Sequence, residues 1–154
     1  MRRGWAAAAL VGVVAVAATS WVGRPTPDLA DQAGSVVVLP FAAQTATPEE
    51  ERLAVDLADE LTRQLNRWDS VRAVPQLSLA GVTFDLGIEG PVLRRVDDGL
   101  ATARELDVEL MVAVNVLLRG DSAVVTATRF DPRRGRAVDR PVEASGPPDD
   151  PYRL

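Results

Sequence analysis

A strand that runs directly into a capped amphipathic helix is the feature that most restricts how this chain can fold. Residues 36–39 are all β-branched or aliphatic, which is typical of a strand covered on both faces or by helices. Thr47, Pro48 and Glu50 then supply an N-cap, a proline at the first helical position and the glutamate of a capping box. These signals predict a strand, a tight junction and a helix in immediate succession.

The predicted helix covers residues 48–67 and has one apolar face, because leucines recur every four residues along it. Residues 71–74 form a short second strand that ends before Pro75. A strand–helix–strand unit of this kind is right-handed and makes its two strands parallel. The apolar face consists of Leu53, Ala54, Leu57, Ala58, Leu61, Leu65 and Trp68.

The second half of the chain predicts a further helix and three more strands. Residues 76–90 contain three glycines and are predicted to be a loop, and a second amphipathic helix is predicted over residues 91–106. Strands at residues 109–118 and 122–130 flank a tight turn at Gly120, so they form an antiparallel hairpin. Residues 136–144 form a last strand, which Pro141 restricts to a sheet edge. The expected fold is a two-layer α+β domain with its helices on one face of a mixed sheet, in the order β-α-β-α-β-β-β.

The N-terminal segment predicts export of this domain. Residues 4–22 carry no charge and, at about 1.5 Å per residue, are just long enough to cross a bilayer core of about 30 Å. Arg2 and Arg3 precede the run and favour a cytoplasmic N-terminus, which makes the chain a single-pass protein of a bacterial inner membrane with an extracytoplasmic C-terminal domain. The alternative is a signal peptide cleaved near Ala15 and Ala17, which would release the protein into the periplasm.

These expectations divide the chain into four parts. Residues 1–23 are predicted to be the membrane anchor or signal segment, and residues 24–34 a linker. The globular domain is expected over residues 35–144, and residues 145–154 have turn composition and are predicted to be a disordered tail.

Composition excludes many kinds of chemistry. The 17 basic residues are all arginine, and the chain has no histidine and no cysteine, which removes disulfides, thiolate or imidazole zinc sites, catalytic triads and lysine Schiff bases. Without Arg2, Arg3 and Arg24, 14 arginines face 22 acidic residues, and a net charge near −8 opposes binding to nucleic acid or anionic lipid. We therefore predict no enzyme, no catalytic residues, no cofactor, no metal site and no nucleic-acid partner.

The junction at residues 40–51 occupies the position where many nucleotide-binding proteins hold phosphate. A phosphate loop needs glycines, so that backbone N–H groups can approach the anion, and often a lysine. This junction has neither, and it places three carboxylates at the start of the helix. We predict that it binds no nucleotide, and that Pro40 ends the strand while Phe41 caps the core.

Five short segments together resemble a known bacterial domain. They are the strand end VVVLPF, the helix LADELTRQL, the strand RAVPQLS, the helix end ARELDVE and the Gly-Asp hairpin, and they span residues 36–142. In these features the chain resembles the domain shared by the N-terminal region of TolB, FlgO-like proteins and the extracytoplasmic segments of bacterial adenylate cyclases and serine/threonine kinases. The family usually has a glycine near the position of Val114, which is absent here. In the proteins that it resembles, this domain is commonly joined to a cytoplasmic signalling domain on one side and to helical tetratricopeptide repeats or a β-propeller on the other.

The predicted topology also indicates where a partner would bind. In open sheets with parallel strands, ligands and partners tend to lie beyond the carboxyl ends of the strands. Those ends bring together Phe41 and Leu77, which offer apolar contact, with Gln76 and Ser78, which offer hydrogen bonds. These four residues are the predicted partner-binding edge.

The sequence thus predicts a membrane-tethered, extracytoplasmic and non-enzymatic interaction or sensory module of a bacterial envelope or signalling protein. A protein partner is expected. Two other classes remain open, a sensor domain that binds a small solute and an envelope-assembly subunit that oligomerises.

Overall fold

The computed structural model describes residues 34–147. The predicted anchor or signal segment, most of the linker and the end of the tail lie outside the described residues. The helices are α1 (Pro48–Leu65), α2 (Gln76–Asp85) and α3 (Val96–Glu105). The strands are β1 (Gly34–Phe41), β2 (Val71–Ala73), β3 (Leu110–Arg119), β4 (Ser122–Asp131), β5 (Arg136–Ala137) and β6 (Val142–Gly146).

The strands form one mixed sheet in the order β2-β1-β3-β4, and β5 and β6 both pair with the outer side of β4. β1 runs parallel to β2 and to β3, whereas the remaining pairs are antiparallel. The α+β class and the mixed sheet are therefore confirmed. The β3–β4 hairpin is also confirmed, with Arg119 opposite Ser122 and Gly120 at a φ of 57°, in the left-handed region.

The strand predicted at residues 136–144 is interrupted. β5 and β6 are separated by four residues that leave the ladder, although the Val138 N–H still donates to the Arg129 carbonyl at 2.9 Å. Pro141 lies in this gap at the sheet edge, where its missing N–H costs no ladder hydrogen bond. In the same gap Asp139 forms an ion pair with the buried Arg129. β6 also takes in the first two residues of the predicted tail.

α1 begins with the capping box that the sequence predicts. The Glu50 N–H donates to Thr47 Oγ1 at 3.2 Å, and the Thr47 N–H donates to Glu50 Oε2 at 2.8 Å. The leucine face of the helix packs on the sheet against Val36 and Val38 of β1 and alternate residues of β3 and β4. This contact forms the first of two hydrophobic clusters.

The second cluster lies on the opposite face of the sheet, which corrects the prediction that all helices share one face. Side chains alternate along a strand, so Val37 and Leu39 point away from α1, and there they pack with Leu79 of α2 and Leu100 of α3. The reason is the strand order. β2 and β3 lie on opposite sides of β1, so the two right-handed crossovers run in opposite directions and place their helices on opposite faces.

Two elements of the second crossover also differ from the prediction. α2 occupies most of the predicted loop, and α3 starts at Val96, five residues later than expected. The residues before α3 are extended: the Leu93 N–H donates to the Pro40 carbonyl at 2.9 Å, and the Ala42 N–H donates to the Leu93 carbonyl at 3.0 Å. Within residues 34–147, none of the helices combines the length and apolar content that crossing a membrane requires.

Candidate functional site

The carboxyl end of β1 opens into an apolar groove of about 490 Å³. Leu39 and Pro40 of β1, several residues of α2 and residues 88–93 line it. β1 is also the strand at which the order of the sheet reverses, and open α/β sheets bind their ligands at such a position. The groove is therefore the first place to look for a binding site in the described part of the chain.

The structure brings three of the four predicted edge residues to the first turn of α2, beside this groove. Gln76 lines it, and its Nε2 donates to the Val38 carbonyl at 2.8 Å and to Thr62 Oγ1 at 3.1 Å. Its side chain therefore fixes α2 to β1 and α1. Leu77 and Ser78 are exposed.

Phe41, the fourth predicted edge residue, belongs to the second hydrophobic cluster and is only 9% exposed. An added Cβ on Gly99 of α3 would lie 2.6 Å from Phe41 Cζ, which shows how closely the ring packs against that helix. Phe41 thus belongs to the core and lies outside the residues that line the groove. β1 continues through Pro40 and ends at Phe41, so the prediction that Pro40 ends the strand is wrong. The partner-binding edge as a whole remains a prediction.

The most unusual feature of this region is the outward face of α2. Leu77, Ala80, Gly81 and Phe84 recur at helical spacing and are all exposed, Leu77 by 91% and Phe84 by 82%. The only buried residue of the helix is Leu79. α2 therefore directs an apolar stripe, which we call the α2 stripe, towards solvent. Contiguous exposed apolar surface of this kind marks interaction sites.

The charges around the stripe are acidic. Residues 76–93 contain no arginine, and their charged residues are Asp85 and Glu89. Neither carboxylate has an ion pair or hydrogen bond with another described residue. The nearest arginine in sequence, Arg94, is already occupied, because its guanidinium pairs with Glu51 and donates to the Ala43 carbonyl. The surface around the α2 stripe thus presents uncompensated negative charge.

Glu50 is a carboxylate with a perturbed pKa, and its environment is structural. The residue is 6% exposed, and its Oε1 accepts the Leu118 N–H at 2.8 Å. This hydrogen bond, followed by the one from the Thr47 N–H, lowers the pKa of Glu50 below its usual value of 4.5, although burial opposes the change. β1 ends opposite Asn115, whereas β3 continues to Arg119. Glu50 therefore accepts a hydrogen bond from the end of β3, where β1 no longer provides an acceptor. Residues 34–147 contain no group of three potential ligands that could hold a metal ion.

Sequence reasoning missed the α2 stripe because it missed the helix. α2 has Gly81 in its interior, no side-chain cap and a single buried residue, so the usual inward-facing periodicity is absent. A signal was nevertheless present after Pro75. Leu77 and Ala80 are three residues apart, and Ala80 and Phe84 are four apart. That pattern predicts a helix with an apolar face, and the structure directs this face outward.

Solved structures share this fold. No protein-family model matches the sequence, and no curated protein matches it either. The C-terminal domain of LpoB from Salmonella enterica superposes with a TM-score of 0.64, at 9% identity, over 90% of this chain and 98% of that domain. The chain has an LpoB-like fold. Lipoprotein GNA1162 from Neisseria meningitidis matches with a TM-score of 0.57, at 12% identity, over 74% of this chain and 80% of that one.

The predicted resemblance to TolB has weaker structural support. TolB from Acinetobacter baumannii matches at 12% identity over 79% of this chain and 25% of that one, and its TM-score of 0.44 is too low to carry an argument. The FlgO-like and kinase-associated context that the resemblance implied stays a prediction. The LpoB-like likeness, at such low identity, concerns the fold alone.

Proposed function

We propose that the protein is a non-enzymatic interaction module of the bacterial envelope, which binds another protein through the α2 stripe and the adjoining groove. The observation that carries this proposal is the pair of large apolar side chains, Leu77 and Phe84, held in solvent on an ordered helix. Fully burying each of them against a partner would contribute about 1.5–3 kcal/mol. Gly81 lies between them, and because it has no side chain it allows a partner to approach the helix backbone.

We propose further that the module works outside the cytoplasm, tethered to the inner membrane by residues 1–23. The charge pattern of Arg2 and Arg3 before an uncharged run supports this topology. Occurrence of the fold in a protein named a lipoprotein is consistent with an envelope location. A lipid-modified cysteine cannot be the tether within these 154 residues, because they contain no cysteine.

A small-solute sensor is the second candidate function, since a groove of about 490 Å³ is within the range of ligand pockets. Gln76 and Glu89 would supply its polar contacts. The α2 stripe favours the first candidate, because Leu77 lies outside the residues that line the groove and a small solute would leave it exposed. For a sensory role in signalling, binding of the partner would have to cause a change in the membrane tether.

Photocrosslinking tests the proposed interaction surface. A photoreactive amino acid replaces Leu77 in the full chain, and the matched control carries it at Asp121, an exposed residue of the β3–β4 turn. In envelope preparations we expect a discrete protein adduct from position 77 and none from position 121. Phe84→Ser on the same helix face should remove the adduct. Adducts of equal yield from both positions, or none from position 77, would refute docking through α2.

A further inference from the structure

We propose that the partner seated on the α2 stripe is a second copy of this chain, which presents the basic edge formed by Arg136, Val138 and Arg140. This inference rests on the docking surface proposed above and names its occupant. The contact is head-to-tail: the α2 stripe and the groove of one copy, with their acidic surroundings, receive the basic edge of the next copy. It makes the protein a self-assembling subunit.

The first surface is apolar with negative charge around it. The α2 stripe is followed in sequence by Asp85, Leu86 and Glu89, and the Leu86 side chain is 40% exposed. The two carboxylates have no partner among the described residues, so both are available to an incoming cation. A partner should therefore bring an apolar side chain flanked by cations.

The basic edge has that composition. Val138 is 43% exposed, and Arg136 and Arg140 stand two residues to either side of it in the segment that pairs with β4 and then leaves the ladder. Neither arginine side chain has an ion pair or hydrogen bond with another described residue. In contrast, the preceding arginines of the turn, Arg133 and Arg134, are paired with nearby carboxylates.

The acidic residue inside this segment does not cancel its charge. Asp139 lies between Val138 and Arg140, but its carboxylate forms an ion pair with Arg129, whose side chain is buried. That ion pair compensates the charge of Asp139 and holds the four-residue interruption between β5 and β6 against β4. The segment thus has an apolar residue with one available positive charge on each side of it.

The position of the two surfaces in the sheet makes the contact intermolecular. The groove lies on β1, next to the edge strand β2, whereas the basic edge pairs with β4 at the other end of the sheet. One copy therefore cannot fill its own groove. A contact between two different surfaces is heterologous, and repeating it generates a ring or an open row.

Other edges and occupants fit less well. β2 offers no free edge at Ala73, because the Asn66 side chain donates to its carbonyl at 3.1 Å and accepts its N–H at 2.8 Å. An anionic membrane surface would be repelled by Asp85 and Glu89. A basic segment of a different protein is the remaining occupant, and the experiments below separate it from a second copy.

Charge reversal tests the pairing. The groove variant carries Asp85→Arg and Glu89→Arg, and the edge variant carries Arg136→Glu and Arg140→Glu, each in the full chain in detergent. Sedimentation equilibrium should give a mass that rises with concentration for the parent chain. Each variant alone should associate at least about tenfold more weakly, because two attractive contacts become repulsive. An equimolar mixture should regain association, since each reversed surface then meets its complement.

Misfolding does not reproduce this result, because mixing two misfolded variants restores nothing. Far-ultraviolet circular dichroism and urea midpoints equal to those of the parent chain provide the folding control. A parent mass independent of concentration, or a mixture no more associated than its components, would overturn the inference. The photocrosslink from position 77 would then decide separately whether a different protein occupies the surface.

The absence of cysteine gives a second, independent readout. Ala80→Cys lies on the α2 stripe and Val138→Cys lies on the basic edge. With a short bis-maleimide linker we expect dimers from the mixture of the two variants and not from either alone. Dimers from Ala80→Cys alone would indicate a symmetric contact and would contradict the head-to-tail arrangement. Ser122→Cys, at the start of β4, serves as the control position, and we expect no dimer when it is mixed with Ala80→Cys.

Discussion

Replacing Glu50 by glutamine should destabilise the protein by about 2–3 kcal/mol, although the two side chains have nearly the same shape. One carboxylate oxygen accepts the Leu118 N–H at 2.8 Å, and the other accepts the Thr47 N–H at 2.8 Å. Glutamine has a single acceptor oxygen, so its amide nitrogen must face one of these N–H donors. Both hydrogen bonds are partly buried, and a hydrogen bond to a charged group contributes about 1.5–3 kcal/mol.

The neighbouring Glu49→Gln is the matched control. Glu49 also lies in the first turn of α1 but is exposed, so its replacement removes only an interaction with the helix dipole, about 0.3–1 kcal/mol. Urea unfolding of the full chain measures the free energy of unfolding of both variants. In thermal unfolding, the loss at Glu50 should appear as a fall in Tm of roughly 10 °C. Equal effects of Glu50→Gln and Glu49→Gln would refute the argument that Glu50 serves as the hydrogen-bond acceptor for the end of β3.

The pH dependence gives a further check on the same residue. Hydrogen bonding lowers the pKa of Glu50 in the folded state below its ordinary value of 4.5. A lowered folded-state pKa means that the stabilisation is fully present above about pH 5 and is lost as the pH falls through the folded pKa. The difference in the free energy of unfolding between the parent chain and Glu50→Gln should therefore shrink between pH 6 and pH 3. A constant difference over this range would contradict the conclusion that the ionised Glu50 carboxylate stabilises the folded state.

Two further predictions concern packing and the sheet edge. Gly99→Ala should destabilise the protein by about 1–2 kcal/mol, because the new Cβ would lie 2.6 Å from the Phe41 ring. Gly81→Ala, also within a helix but with no atom within 4 Å of the new Cβ, should stabilise it by about 0.5–1 kcal/mol. Urea midpoints of the pair measure the contrast, and equal shifts would disprove it. Asn66→Ala should cost about 1–2 kcal/mol and accelerate amide hydrogen exchange at Ala73, whose N–H loses its acceptor; unchanged exchange would show that this edge is protected by other means.

Much of the fold could be predicted because its signals are local. The capping box at Thr47 and Glu50, the four-residue leucine period and the turn at Gly120 each lie within a few residues of the structure that they specify. Pro141 likewise assigns its segment to a sheet edge, because it lacks the N–H that a central strand needs. These local features are sufficient to predict the β1–α1–β2 unit and the β3–β4 hairpin.

The place of three predicted edge residues beside the groove could be predicted for the same reason, whereas their role as a partner-binding edge stays a prediction. Gln76, Leu77 and Ser78 follow the end of β2 in sequence, and the carboxyl ends of parallel strands meet at one side of a sheet. Their side-chain roles were not predictable. Gln76 is held by the Val38 carbonyl, 38 residues away in the chain, and Phe41 is covered by α3.

By itself, then, the sequence determined the composition-based exclusions, the strand–helix–strand unit, the hairpin and the edge position of the last strand. Only the tertiary structure decided that β3 lies across β1 from β2, and that order placed α1 on one face of the sheet and α2 and α3 on the other. It also decided that α2 is a helix with its apolar stripe in solvent. Strand order depends on contacts between distant segments, and α2 is held by Leu79 and Gln76 rather than by an inward-facing period of its own.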